Sequence, residues 1–227
     1  MKSPNAPRSL VALALLAVLP AAMAATPVQI KFGGQDTSGN ALTTYDTTVT
    51  SGGPVTNNAS TTALNYSYVS SGASFIAYCL EPNQGNGRAG VVRNYEASTF
   101  SGAKAPLVQG LFSTHYASLS DYDSKAAFQM ALWEIMRETG TPNDVNSGSF
   151  YMSASGTHAA TVASMANSFL SNAATYSGPA RYTLTYLSNA SLQDLVTATP
   201  VPEPMSGAML MSGLAVLGLL ARRRLPR

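Results

Sequence analysis

The stretch SKAAFQMALWEIMRET, residues 124–139, constrains the fold more than any other. At 100° per residue, Ala126, Phe128, Leu132, Trp133, Ile135 and Met136 share one arc, while Glu134, Arg137 and Glu138 share the opposite one. A helix so patterned must bury one face against another layer. The spacing predicts it over residues 124–138, with Asp123 or Ser124 as its N-cap. Gln129 lies inside the apolar arc, bracketed by Leu132, Trp133 and Met136. An amide group buried without partners costs roughly 1–3 kcal/mol. Gln129 therefore either makes hydrogen bonds in the core or is chemically consumed there.

Most of the remaining signals are those of strands. VQIKF, ALTTYDTTV, ALNYSYV, SFIAYCLEP, ARYTLTYLS and QDLVTAT alternate or carry β-branched and aromatic residues. Turn-rich GGQDTSGN, SGGPVTNNAS and NQGNGRAG separate them. GGQDTSGN lacks the lysine of a phosphate-binding loop, so it reads as a turn. Two further helices are expected over 103–119 and 157–174, and no internal repeat is visible. Strands, then helices, then strands predict an α+β fold: a sheet or barrel-like core with a helical layer.

The ends of the chain have a different character. Residues 1–24 read as a secretory signal peptide: Lys2 and Arg8, then the apolar run SLVALALLAVLPAAMA ending in Ala22-Met23-Ala24. Residues 201–227 join Pro202-Glu203-Pro204 to an uncharged stretch, 205–221, and then Arg222, Arg223 and Arg224. Seventeen residues is at the short end of the roughly 17–25 that span a bilayer, and the arginines would hold that end on the cytoplasmic side. Between the two lies one ectodomain, residues 25–200. The Pro-Glu-Pro, apolar helix, arginine order resembles the PEP-CTERM sorting signal of Gram-negative bacteria. That resemblance implies recognition by an exosortase and a destination at the cell surface or in the exopolysaccharide matrix, with anchoring in the inner membrane at least in transit.

The basic surplus belongs to these ends. Between residues 25 and 200, seven Lys and Arg stand against ten Asp and Glu, so the ectodomain is near −3 although the whole chain is formally +2. Nothing there forms a basic patch interleaved with aromatics, which argues against a nucleic-acid partner. Two isolated histidines, His115 and His158, and scattered acids make no metal-ligand pattern, and no cofactor motif is present. The one cysteine, Cys79, has no intrachain disulfide partner.

Cys79 ends an apolar strand between Tyr78 and Leu80, and its neighbours, like those of Gln129, point it inward. Should the strand pack on the helix, a thiol and a carboxamide meet in a dry pocket. The thiolate can then attack the carboxamide carbon and expel ammonia, leaving an internal thioester. Fixed approach geometry, with effective molarities of about 10⁵–10⁸ M, offsets the poor electrophilicity of an amide. Apolar walls such as Trp133 and Met136 would keep water out. AYCLEP followed by FQMALWEI resembles the thioester domain of bacterial surface adhesins, matching at Tyr78, Cys79, Leu80, Gln129, Ala131, Leu132 and Trp133. Phe128 departs from the threonine that many such domains carry. The resemblance implies an α+β fold and covalent capture of a nucleophile, such as an amine, on an extracellular protein or polysaccharide ligand. That is single-use attachment, not the turnover of an enzyme.

Two other readings stand beside it. Cys79 and Gln129 serve in one as ordinary core residues of a non-covalent exopolysaccharide-matrix component. In the other, a cysteine hydrolase, His115 activates Cys79 with Asp121 or Asp123 orienting the imidazole. His115 is also the group available to assist proton transfer at the thiol in the thioester reading. Glu81 would raise the thiol's pKa by repelling the thiolate if it faced it.

Overall fold

The computed structural model describes residues 24–36, 48–50, 61–142, 144–153, 158–202 and 214, with backbone alone for 48–50 and 152–153. In chain order the elements are β1 (Thr26–Gln35), β2 (Thr48–Thr50), β3 (Leu64–Tyr68), β4 (Ser74–Cys79) and β5 (Val92–Thr99). Next come α1 (Ala105–His115) with a short 3₁₀ turn at Tyr116–Ser118, α2 (Tyr122–Arg137), β6 (Tyr151–Ser153), α3 (Ala159–Thr175), β7 (Tyr182–Ser188) and β8 (Leu195–Pro200). Apart from Ala24, the signal-type stretch lies outside the described residues, as does the sorting segment beyond Pro202 apart from Leu214. Glu203, Pro204, Arg222, Arg223 and Arg224 are therefore outside, and Pro202 is exposed. Among the described residues no helix is long and apolar enough to cross a membrane.

Six strands close an antiparallel barrel in the order β1-β3-β4-β8-β7-β5, and β2 pairs with β6 in a separate two-stranded sheet. The expected α+β class holds, with the barrel as the sheet component. Closure leaves the six strands with no unpaired edge, which a half-buried antiparallel sheet otherwise exposes. β1 runs through Gly33 and Gly34 to Gln35, further than the predicted VQIKF strand, because a bulge between Phe32 and Gly34 absorbs the glycines. Gly34 takes φ +116° there, a conformation side chains disfavour. The first three residues of the predicted turn GGQDTSGN thus belong to the strand, and beyond Asp36 it lies outside the described residues. β5, which joins β1 to β7, has no counterpart among the predicted strands. Of its residues only Tyr95 is buried, so VRNYEAST carries almost no apolar alternation.

The helices pack as one layer, α3 lying against both α1 and α2 while α2 reaches β4. Pro106 sits in the first turn of α1, where a missing N–H costs nothing. Gly110 lets α1 approach α3 closely, since a Cβ there would stand 2.5 Å from the Ala173 carbonyl oxygen. α2 starts two residues earlier than its spacing predicts. Asp121, not Asp123 or Ser124, is the N-cap: its carboxylate accepts from Ser124 N (2.8 Å), and Asp121 N donates to Ser124 Oγ (3.3 Å). This reciprocal box satisfies two otherwise orphaned donors. Every residue from Ser124 to Ile135 is buried, including Glu134, which helical spacing puts on the polar arc. With α3 on one side and the barrel on the other, α2 has no solvent face over that length.

Candidate functional site

β3 begins at Leu64, which faces Ala77 on β4, so Cys79 lies beyond the last β3 rung. On its other edge Cys79 pairs with Leu195 of β8, and Leu80 N donates to Asp194 O at 2.9 Å. The edge that β3 leaves vacant is filled by a side chain from α2. Cys79 N donates to Gln129 Oε1 at 2.8 Å, and Gln129 Nε2 donates to Cys79 O at 2.7 Å. The carboxamide thus acts as one residue of a strand, with each of its ends matched to a backbone group of opposite role. Gln129 is fully buried, and Cys79 is 1% exposed. This answers the anomaly of a glutamine on an apolar arc: its partners are the backbone of the cysteine.

Aromatic packing holds that register. Tyr78, on the opposite face of β4 from Cys79, meets the Phe128 ring at 4.7 Å and the Phe112 ring at 6.4 Å, and Phe112 meets Phe128 edge-on at 4.9 Å. Phe128, the departure from threonine, thereby ties the first turns of α2 to the end of β4, beside Gln129 and against the neighbour of Cys79. Tyr116 joins this cluster at 6.4 Å from Tyr78. Leu80, Ala131, Leu132 and Trp133 are all buried. Neither Phe112 nor Tyr116 was singled out as part of the site by the sequence pattern, since each reads as a helical core residue.

The thiol is free and enclosed. Burial pushes its pKa well up, and Asn86 Oδ1 lies 3.7 Å from Sγ as an acceptor for the S–H. Asn86 was hidden from the sequence reading by the glycines on either side of it, which mark a turn. Tyr66 and Tyr95, both buried, feel Cys79 electrostatically from the barrel interior, and burial raises both phenols, Tyr95 to about 12. Glu81 turns to Gln84 Nε2 (2.8 Å) and to Asp194 N (3.3 Å). It is not among the groups that shift the thiol.

The groups of a hydrolase dyad are not brought together. His115 stacks on Phe169 of α3, ring centres 3.9 Å apart, and its Nε2 lies 3.3 Å from Asn172 Nδ2. Asp121 is engaged as the α2 cap, and Asp123 Oδ2 contacts His158 Nδ1 at 2.7 Å. His115 also lines a cleft of about 490 Å³ with Asn172, Thr175 and Arg181, on the α1–α3 side of the molecule.

No protein-family model matches the sequence, and no curated protein matches it. Solved structures that resemble the chain distantly include two surface-protein domains. One is the N-terminal domain of the Streptococcus pyogenes pilus tip adhesin Cpa, at 14% identity over 72% of this chain and 98% of that one, TM-score 0.40. The other is the N-terminal thioester domain of a surface protein from Clostridium perfringens, at 12% identity over 70% of this chain and all of that domain, TM-score 0.40.

Proposed function

We propose that this chain is an exported surface or matrix protein in which Cys79 and Gln129 form an internal thioester that captures an amine covalently. The observation that carries the reading is the two-point clamp of the Gln129 carboxamide on the Cys79 backbone. In formation, Sγ attacks Gln129 Cδ, the C–S bond forms, the C–N bond breaks, and the nitrogen leaves as ammonia with the thiol proton. Cys79 N–H already points at Oε1, where negative charge develops in the tetrahedral intermediate. In capture, an amine such as a lysine side chain attacks the same carbon. An amide forms at Gln129, and the sulfur leaves as a thiol carrying the proton the amine loses. The high pKa that burial imposes on Cys79 favours that protonated product. Each molecule acts once, and the acceptor is carried on an extracellular protein or polysaccharide. Sorting by an exosortase through residues 201–227 and passage through the membrane complete this reading.

Intact mass spectrometry of the mature chain tests it. The wild type should be one ammonia lighter than its sequence, and methylamine should restore that mass with an added methyl group at Gln129 while releasing a titratable thiol. A full-mass wild type that takes up no methylamine overturns the proposal.

One observation favours a second reading, a non-covalent matrix component. The clamp satisfies both polar ends of the Gln129 carboxamide, so the residue has a complete structural role without any covalent bond. In that case the thiol titrates freely after unfolding and the mass is full.

A further inference from the structure

The polar atom that meets the Cys79 sulfur comes from a loop, not from the barrel or the helices. Asn86 stands between Gly85 and Gly87 in the segment joining β4 to β5, and its Oδ1 lies 3.7 Å from Sγ. Gln193 N donates to Gly85 O at 3.2 Å, and Gly90 N donates to Phe32 O at 2.8 Å, so the segment is tied down on both sides of Asn86. Gly87 faces the side chains of Leu192 and Arg93, with which a Cβ there would be in ordinary contact at 3.4 and 3.5 Å. Asn86 itself is half-buried, whereas Gly85 and Arg88 are exposed. Its side chain is thus turned inward by a loop whose neighbours face solvent.

Other groups surround the sulfur as well. From inside the barrel come Tyr66 and Tyr95, phenols held protonated by burial, which can donate a hydrogen bond but take no proton from the sulfur near neutral pH. Tyr95 is already committed, its hydroxyl donating to Gln193 O at 3.2 Å, with Arg93 and Asp194 acting on it from the rim. Just past β4 and just before β8, Glu81 and Asp194 engage Gln84, Tyr186 and backbone N–H groups. From α2 comes Gln129, which is neutral and fixed on the Cys79 backbone.

We infer that Asn86 is the positioning residue for the Cys79 sulfur, an inference that rests on the thioester reading for its role in the reaction. In the free protein the S–H donates to Oδ1 and holds the sulfur in one orientation. In the thioester there is no S–H. When an amine attacks Gln129 Cδ, the C–S bond breaks and its electron pair stays on sulfur. The Asn86 amide, turned about its last torsion, then presents an N–H to that sulfur until the proton lost by the amine arrives. No redox partner or further reactant is involved.

The test compares wild type with N86A and N86D, all as the mature chain. Because Cys79 is the one cysteine of the chain, its S–H stretching band in the infrared belongs to a single group. After methylamine treatment the thiol is free in every variant, whether or not a thioester existed before. The N86A band should move to higher frequency than in wild type, as expected for loss of the acceptor, while N86D keeps an acceptor and a lower-frequency band. Methylamine should open the wild-type thioester roughly tenfold faster than that of N86A, the scale of one hydrogen bond to a charged group. N86D should be slower still near neutral pH, where its carboxylate repels the departing sulfur. Unchanged band position together with an unchanged opening rate in N86A overturns the inference. A full-mass wild type instead overturns the thioester reading and the reaction role with it, while the infrared band still tells whether Asn86 holds the thiol.

Discussion

Two side chains of the α2 region stand in for backbone, one midway along the helix and one at its C-cap, and they do it by opposite means. Gln129, midway along, is a neutral amide that both donates and accepts, and it completes the sheet at Cys79. Glu138, the C-cap, is a carboxylate that only accepts: from Gly140 N (2.6 Å), Ser149 N (2.8 Å), Ser149 Oγ (2.6 Å) and Phe150 N (3.1 Å). The first arrangement is indifferent to pH and contains an acyl carbon beside a thiol. The second is charged and holds a loop of the chain together through its charge. A neutral clamp and a charged clasp can therefore share a helix and yet answer to different perturbations.

The largest expected effect separates chemistry from scaffold at the first clamp. Both Gln129 bonds go to the backbone of residue 79, so Cys79→Ala leaves them intact. It should abolish any ammonia deficit and all methylamine uptake, at a cost of only about 1 kcal/mol for the lost buried group. Gln129→Ala should abolish the chemistry too, but it also orphans a buried N–H and a buried C=O. At roughly 1–3 kcal/mol for each group, the loss is about 2–6 kcal/mol. Urea unfolding of the two variants measures the gap. Equal stabilities would mean that the clamp contributes nothing to the fold.

Why the clamp was legible and its surroundings were not follows from range. Cys79 and Gln129 announce themselves locally, as polar or reactive groups among apolar neighbours on a strand and a helix. The same local reasoning found α2 and α3, and it found β7 and β8 within a residue or two. It missed β5, whose single buried side chain, Tyr95, leaves no alternation to detect. It misplaced the α2 cap because Asp121, Asp123 and Ser124 are all good capping residues, and only the reciprocal bonds choose among them. Closure of the barrel depends on β1 pairing with both β3 and β5, and on β8 returning to β4 from far along the chain. Glu138 read as a solvent-side charge, yet it is 6% exposed, because the loop that covers it lies more than ten residues away in sequence.

The second clamp is the one acid should break. Its hydrogen bonds, the Ser149 hydroxyl first, hold the Glu138 carboxyl at a pKa of about 2, below its usual value. A depressed carboxylate contributes stability that is full above its unfolded pKa, near roughly 4.3, and fades as pH falls toward the folded value. Amide exchange at Ser149 and Phe150 should therefore speed up between about pH 4 and pH 2, relative to the intrinsic rate, while the Cys79 amide keeps its protection over the same window. Glu138→Gln should remove the pH dependence by weakening the loop at all pH values. If the Cys79 amide lost protection in step with Phe150, the middle of α2 and its C-terminal end would open as one unit and the distinction drawn between them would fail.

The smallest effect is expected at His115. It stacks on Phe169 and approaches Asn172, on the α1–α3 side, whereas the sulfur meets Asn86. Burial lowers its pKa, so the ring is neutral near pH 7 and brings no charge to the site. His115→Gln should then leave the ammonia deficit in place and change the rate of methylamine uptake by less than about twofold, the range of an ordinary half-exposed substitution. What it should alter is the α1–α3 contact, seen as a slightly lower melting temperature. A tenfold fall in uptake at unchanged stability would instead give the imidazole a part in moving the thiol proton, and the clamp of Gln129 on Cys79 would no longer be sufficient to account for the chemistry.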